Sequence, residues 1–265
     1  MYVNDDGHLT RLNLSKETFE ALFPIEKRHK INQGLLGDCW LVTSIGALMD
    51  SPKGRASIYK MFSQDGNDIL VKFPDADEPI RFKNGKLNKL APVSMWLDGY
   101  KPKIGLEDAH VGASKGIQML EQAYSIHRND GYGSANIRDK DIQDIFFMNK
   151  QMHRLCGGWQ SEAIRNIVGK DHVNIRKALF KEEYMKLVDE CIDDPNKIVT
   201  FATKNKVGNN TNYDLYSNHT YHIVAFDREK GILSISNPWH NNEIRQIPVR
   251  DWLNYIDDVS VIEIV

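Results

Sequence analysis

The chain of 265 residues has only three cysteines, Cys39, Cys156 and Cys191. Their wide spacing excludes a disulfide framework or a Cys-x-x-Cys metal pair as a reading, and it fits a reducing compartment. An excess of either charge is missing too: 34 Lys and Arg face 36 Asp and Glu. That balance offers no electrostatic basis for a nucleic-acid partner or an anionic membrane. No apolar run approaches the length of a membrane span. The N-terminus, Met1-Tyr-Val-Asn-Asp-Asp-Gly-His, lacks the basic start and apolar core of a signal peptide. A cytoplasmic location is the expectation. There is no internal repeat and no low-complexity segment. The length does allow a sizeable core, near the size at which one core divides in two.

What is present reads as two regions of different character. Ser15, Glu17, Phe19, Leu22 and Phe23 predict a capped short helix ending at Pro24. A basic loop, Lys27 to Lys30, leads to Gln33. Leu41, Ile45, Leu48 and Met49 recur at helical spacing from Asp38 to about Asp50, predicting a largely buried helix. Ile69 to Phe73 and Ile80 to Phe82 read as a small hairpin. Residues 84–114 read as an irregular connection, and Lys115 to His127 as a helix broken by Asp130-Gly-Tyr-Gly-Ser. Helices are expected over 161–168 and, through Ile175, Leu179, Met185, Val188 and Ile192, over 174–192. Beyond Asp193 the chain turns to β-branched strands: 198–202, 219–226, 232–236, 243–249 and 259–265. The expected fold is α+β, with residues 1–170 a helical lobe and 171–265 a β-rich lobe.

The stretch from Gln33 to Cys39, Gln-Gly-Leu-Leu-Gly-Asp-Cys, runs straight into Trp40-Leu-Val-Thr-Ser-Ile. It predicts a cysteine in the first turn of a buried helix, where unpaired amides and the helix dipole favour a thiolate. Gln33 can lie beside that sulfur as an amide donor. A nucleophile with an oxyanion donor is the front half of an acyl-transfer site. The other half needs a base and something to hold its ring. Of nine histidines, only His219 and His222 sit in a strong strand pattern. Three apart in a regular strand, they would face opposite sides of the sheet. The next strand ends in Asn237-Pro-Trp, and an antiparallel pairing would bring Asn237 near the start of the His219 strand. That favours His219 over His222. The pair His219-x-x-His222 lacks the helical face of a metalloprotease motif, and no metal site is expected.

These three blocks resemble the active-site blocks of the calpain family of papain-like cysteine proteases, approximately Q-G-x-L-G-D-C-W, G-H-A-Y-S-V and N-P-W-G in the same order. Met119-Leu-Glu-Gln-Ala-Tyr is similar to the family's L-L-E-K-A-Y, and Gly157-Gly-Trp-Gln-Ser-Glu-Ala-Ile to its G-G-x-x-x-E-A-L. The resemblance implies a papain-like two-lobed fold with Cys39 as nucleophile, His219 as base, Asn237 as its orienter and Gln33 as oxyanion donor. Trp239 would shield the His219–Asn237 hydrogen bond, and Trp40 would pack behind the nucleophile. It implies hydrolysis of a protein or peptide substrate through a Cys39 thioester, activity depending on closure of the two lobes.

Three departures stand out. Asn218 and His240 replace family glycines, and Lys30 replaces an acidic calcium ligand three positions before the glutamine. An ammonium cannot ligate calcium, so that first calcium site is expected to be absent and no cofactor is required. The alternatives are a catalytically silent calpain-like binding module, suggested by positions 218 and 240, and a thiol acyltransferase or transamidase.

Overall fold

Ser15 opens the first helix of the computed structural model: its Oγ accepts from the Thr18 amide at 3.1 Å, and α1 runs Lys16–Leu22. The structure describes residues 2–3, 9–10, 13–24, 31–33, 37–87, 113–128, 155, 157–178, 180–207, 212–239 and 243–265. The basic loop 27–30, most of the 84–114 connection, the 130–134 break, Cys156 and His240 lie outside them.

Helix α2, Cys39–Asp50, is buried from Trp40 through Met49. Its Leu41, Val42, Ile45, Leu48 and Met49 side chains together supply on the order of 10 kcal/mol of gross hydrophobic stabilisation, before conformational entropy is set against it. Ser51 ends α2 and caps α3, Pro52–Lys60, by accepting from the Gly54 amide. A proline in the first helical turn costs nothing, because its missing N–H would have no intrahelical acceptor there. The chain continues through β3 (Phe62–Asp65), β4 (Asp68–Val71) and β5 (Ile80–Phe82), then α4 (Lys115–His127) and α5 (Gln160–Val168). β3, β4 and β5 form a three-stranded antiparallel sheet, so the expected hairpin has a third strand. A further pair, β1 (Tyr2–Val3) and β2 (Leu9–Thr10), is antiparallel.

The expected helix over 174–192 is two elements. β6 occupies Val173–Ala178 and α6 occupies Lys181–Cys191. Val173 and Ile175 alternate with Asn174 and Arg176, a period of two that pairs β6 with β11 (Ile256–Ile264) at the sheet edge. With β7 (Lys197–Thr203), β8 (Thr220–Asp227), β9 (Ile232–Ser236) and β10 (Ile244–Pro248), these strands make one antiparallel sheet ordered β10-β9-β8-β7-β11-β6. Helix α7, Val249–Tyr255, bridges β10 and β11. The fold is α+β.

Buried side chains form two groups. One gathers α1–α5, the small sheet and one end of the large sheet (Val173, Ile198, Ile262 and Ile264). The other gathers α6, α7 and the remainder of the large sheet around Phe201, Tyr221 and Trp252. The large sheet therefore contributes to both. Helix α2 runs alongside β8 in the same direction: Thr43 Oγ1 donates to the Thr220 carbonyl at 3.0 Å, and Asp50 Oδ2 lies 2.8 Å from His222 Nε2. Among the described residues no helix is long and apolar enough to cross a membrane.

Candidate active site

Cys39 is the first residue of α2, half-buried, with Asp38 as N-cap. Asp38 caps through its carbonyl, which accepts from Leu41 at 2.9 Å and Val42 at 3.0 Å, while its side chain makes no cap hydrogen bond. That carboxyl turns inward, 0% exposed, to meet Glu121 of α4 (1% exposed) and the Gln33 side chain. Burial, and then the Glu121 charge, raise the Asp38 pKa well above the usual carboxylate range. Two carboxyls in one dry site disfavour being charged together.

Trp40 is locked behind the cysteine. Its Nε1 donates to the Leu155 carbonyl at 2.7 Å, the Arg128 guanidinium stacks 4.5 Å from the ring centroid, and Tyr124 meets it edge-on. The Gly157-Gly158 pair fits around it. Gly157 sits at φ 80° and donates to the Gly37 carbonyl at 2.9 Å; a Cβ on Gly158 would fall 2.5 Å from the Trp40 ring. Glu162 pairs with Arg128 at 3.1 Å.

His219 does not lie in the strand; it immediately precedes β8. The expectation that His219 and His222 face opposite sides of a regular strand therefore loses its premise. His222 turns toward α2, reaching Asp50 at its far end. Asn218, at φ 51°, supplies the left-handed turn that carries the chain into His219, a conformation asparagine tolerates better than most residues. His219 is pinned through its backbone: its N–H donates to Thr203 Oγ1 at 3.0 Å, and its carbonyl accepts from Thr203 N–H at 2.9 Å.

The antiparallel pairing of β8 with β9 brings Asn237, just past β9, to this histidine. His219 Nε2 and Asn237 Oδ1 are 2.9 Å apart, both residues are buried, and the Trp239 ring lies 4.5 Å from the imidazole. Two further contacts bring the three segments together. The Gln33 N–H donates to the Pro238 carbonyl at 2.7 Å. Thr43 of the Cys39 helix bonds Thr220, the next residue after His219, through its Oγ1 at 3.0 Å.

One contact was not legible beforehand: Asn237 Nδ2 donates to Asp214 Oδ2 at 2.9 Å. The acceptor lies on the irregular β7–β8 connection, and nothing in its sequence context marks it.

The electrostatics differ from the expected thiolate. Burial pushes the Cys39 thiol up; the Thr220 hydrogen bond opposes this, and the Asp38 charge adds to it. Burial pulls His219 down to about 4, against the raising effects of Asn237 and Asp214. In this arrangement both groups favour their neutral forms. Among the described residues no group of three or more His, Cys, Asp and Glu side chains is placed to hold a metal ion. A scan against protein-family models and a search of curated proteins both return no match.

Proposed function

We propose that this chain is a papain-like cysteine endopeptidase of calpain type, cleaving a protein or peptide substrate through a Cys39 thioester. The observation that carries the reading is the convergence of three distant segments: Gln33 tied to Pro238, the Cys39 helix tied to Thr220 through Thr43, and His219 bonded to Asn237 beneath Trp239. Asn237 Oδ1 can only accept, so His219 Nε2 donates to it and Nδ1 is the nitrogen left to take a proton from the thiol. The two groups of buried side chains support a two-lobed arrangement, with the nucleophile helix in one and β8, which follows His219, contributing Tyr221 and Ile223 to the other. The departure at 218 does not weaken the reading, since Asn218 adopts the left-handed backbone a glycine would supply.

In the proposed reaction the sulfur attacks the peptide carbonyl carbon as its proton passes to His219. The oxyanion is held by the Gln33 amide and the Cys39 N–H, an interaction whose loss costs about 2.7–4 kcal/mol per donor. His219 then protonates the leaving amine and activates the water that hydrolyses the thioester. A silent binding module is the second reading, favoured by the burial that keeps thiol and imidazole neutral.

Labelling separates them. An E-64-type epoxide should modify the wild type rapidly near neutral pH, leave Cys39→Ala untouched, and abolish hydrolysis of a peptide library. Labelling no faster than an ordinary free thiol would favour the silent module.

A further inference from the structure

Asp214 lies between β7 and β8 with φ 59°. Its Oδ2 accepts from Asn237 Nδ2 at 2.9 Å, and its backbone carbonyl accepts from the same nitrogen at 3.3 Å. A carboxylate and a carbonyl only accept, so the face of the Asn237 amide turned toward Asp214 must be the nitrogen. The oxygen is thereby turned the other way, where it accepts from the Trp239 N–H at 3.0 Å and meets His219 Nε2 at 2.9 Å. Donor and acceptor roles along this chain have one consistent assignment, which starts at Asp214 and ends with the lone pair on His219 Nδ1. An amide that could flip would leave the imidazole tautomer undefined.

We propose that Asp214 is a positioning residue of the site, orienting Asn237 toward His219 and supplying the negative charge that favours the imidazolium during catalysis. This rests on the cysteine peptidase reading.

Among the described residues, the groups around His219 are few enough to assign the effect. Trp239 and the Tyr216 ring, 4.5 and 6.2 Å from the imidazole, carry no charge, and neither does the edge-on Tyr221 ring at 5.0 Å. Arg245 on β10 acts on Tyr216. Asp214 is the carboxylate whose charge acts on His219.

The test is Asp214→Asn in the full chain. Asparagine keeps the shape and tolerates the left-handed backbone, but removes the charge and offers Asn237 a donor as readily as an acceptor. The expected result is a fall in kcat of about ten- to a hundredfold with KM within about twofold. The alkaline limb of kcat/KM should move to lower pH, because an imidazolium without its counter-charge gives up its proton sooner. Independently of activity, NMR titration of His219 in the Cys39→Ala protein should give a lower midpoint once Asp214→Asn is added. Unchanged kcat, alkaline limb and His219 midpoint would overturn the proposal. A wild type that neither labels nor cleaves would sink the peptidase reading instead, and in that protein the titration still decides whether Asp214 acts on the ring.

Discussion

Gly158→Ala tests how tightly the nucleophile is held from behind. The added Cβ would lie 2.5, 2.7 and 2.7 Å from three atoms of the Trp40 six-membered ring. Ordinary carbon contacts are about 3.5–4 Å, so ring or backbone must move by about 1 Å. Trp40 cannot yield readily: Nε1 is bonded to the Leu155 carbonyl at 2.7 Å and Arg128 covers the ring at 4.5 Å. Overpacking of this kind costs about 1–3 kcal/mol, against about 0.4–1 kcal/mol gained from a stiffer unfolded chain. Sterics win, with a net loss of about 1 kcal/mol. In a chain of this length that lowers Tm by roughly 2 °C.

Because Trp40 follows Cys39 directly, a displacement of about 1 Å should also reduce kcat by as much as about a hundredfold. The control is Gly66→Ala, at φ 58° with nothing within 4 Å of the new Cβ. It should cost about 1 kcal/mol through backbone strain alone and leave activity intact. In a double-mutant cycle by urea unfolding, Trp40→Phe should absorb part of the Gly158→Ala penalty, giving a coupling of about 1 kcal/mol. Strict additivity, or a Gly158→Ala protein as stable and active as wild type, would refute the steric argument.

The buried Asp38–Glu121 pair predicts a pH dependence. Asp38 is raised in the folded state, so its stabilising contribution is complete below the unfolded carboxylate pKa of about 3.9 and is lost as pH rises through the folded value. Wild type should therefore lose stability relative to Asp38→Asn as urea midpoints are followed from pH 4 to pH 9; parallel curves would show that burial beside Glu121 does not raise Asp38. Lys30 predicts that peptidase activity is equal in EGTA and in millimolar calcium, and strict calcium dependence in a fluorogenic peptide assay would reject that.

The site residues that were legible in the sequence are those whose chemistry is local. Gln33 to Trp40 could be read because a helix start, an apolar period and a short polar lead-in are all short-range signals. Asn237 could be placed opposite His219 because two strands joined by a tight turn have few registers. Asp214 could not be found that way: it meets Asn237 across 23 residues, from a connection without periodicity. Asp38 and Glu121 were equally hidden, since acidic residues in sequence suggest solvent, and only packing of α4 against the start of α2 brings them together. Among the elements, the 174–192 reading failed because Val173 and Ile175 fit both a helical and an alternating pattern, and pairing with β11 decided between them. Helices Pro52–Lys60 and Val249–Tyr255 went unread because each is short and has a proline at its start.

The expected thiolate failed for a different reason, and it bears on how the proposed enzyme would be switched on. A helix start and a neighbouring imidazole both favour a charged sulfur, but only when weighed against desolvation, which the sequence does not display. Here burial dominates at both groups: the thiol is pushed up and the imidazole down to about 4. Each charge in such a site is tolerable only beside the other. The ion pair is therefore favoured when sulfur and Nδ1 are in contact, and the Thr220 hydroxyl, which lowers the thiol pKa, favours the same charged sulfur. Substrate binding that brings Cys39 and His219 into contact would create nucleophile and charge in a single movement. Thr220→Val removes that hydroxyl while keeping the branched shape. It should slow iodoacetamide labelling of Cys39 near neutral pH, whereas unchanged or faster labelling would mean that Thr220 does not support the thiolate.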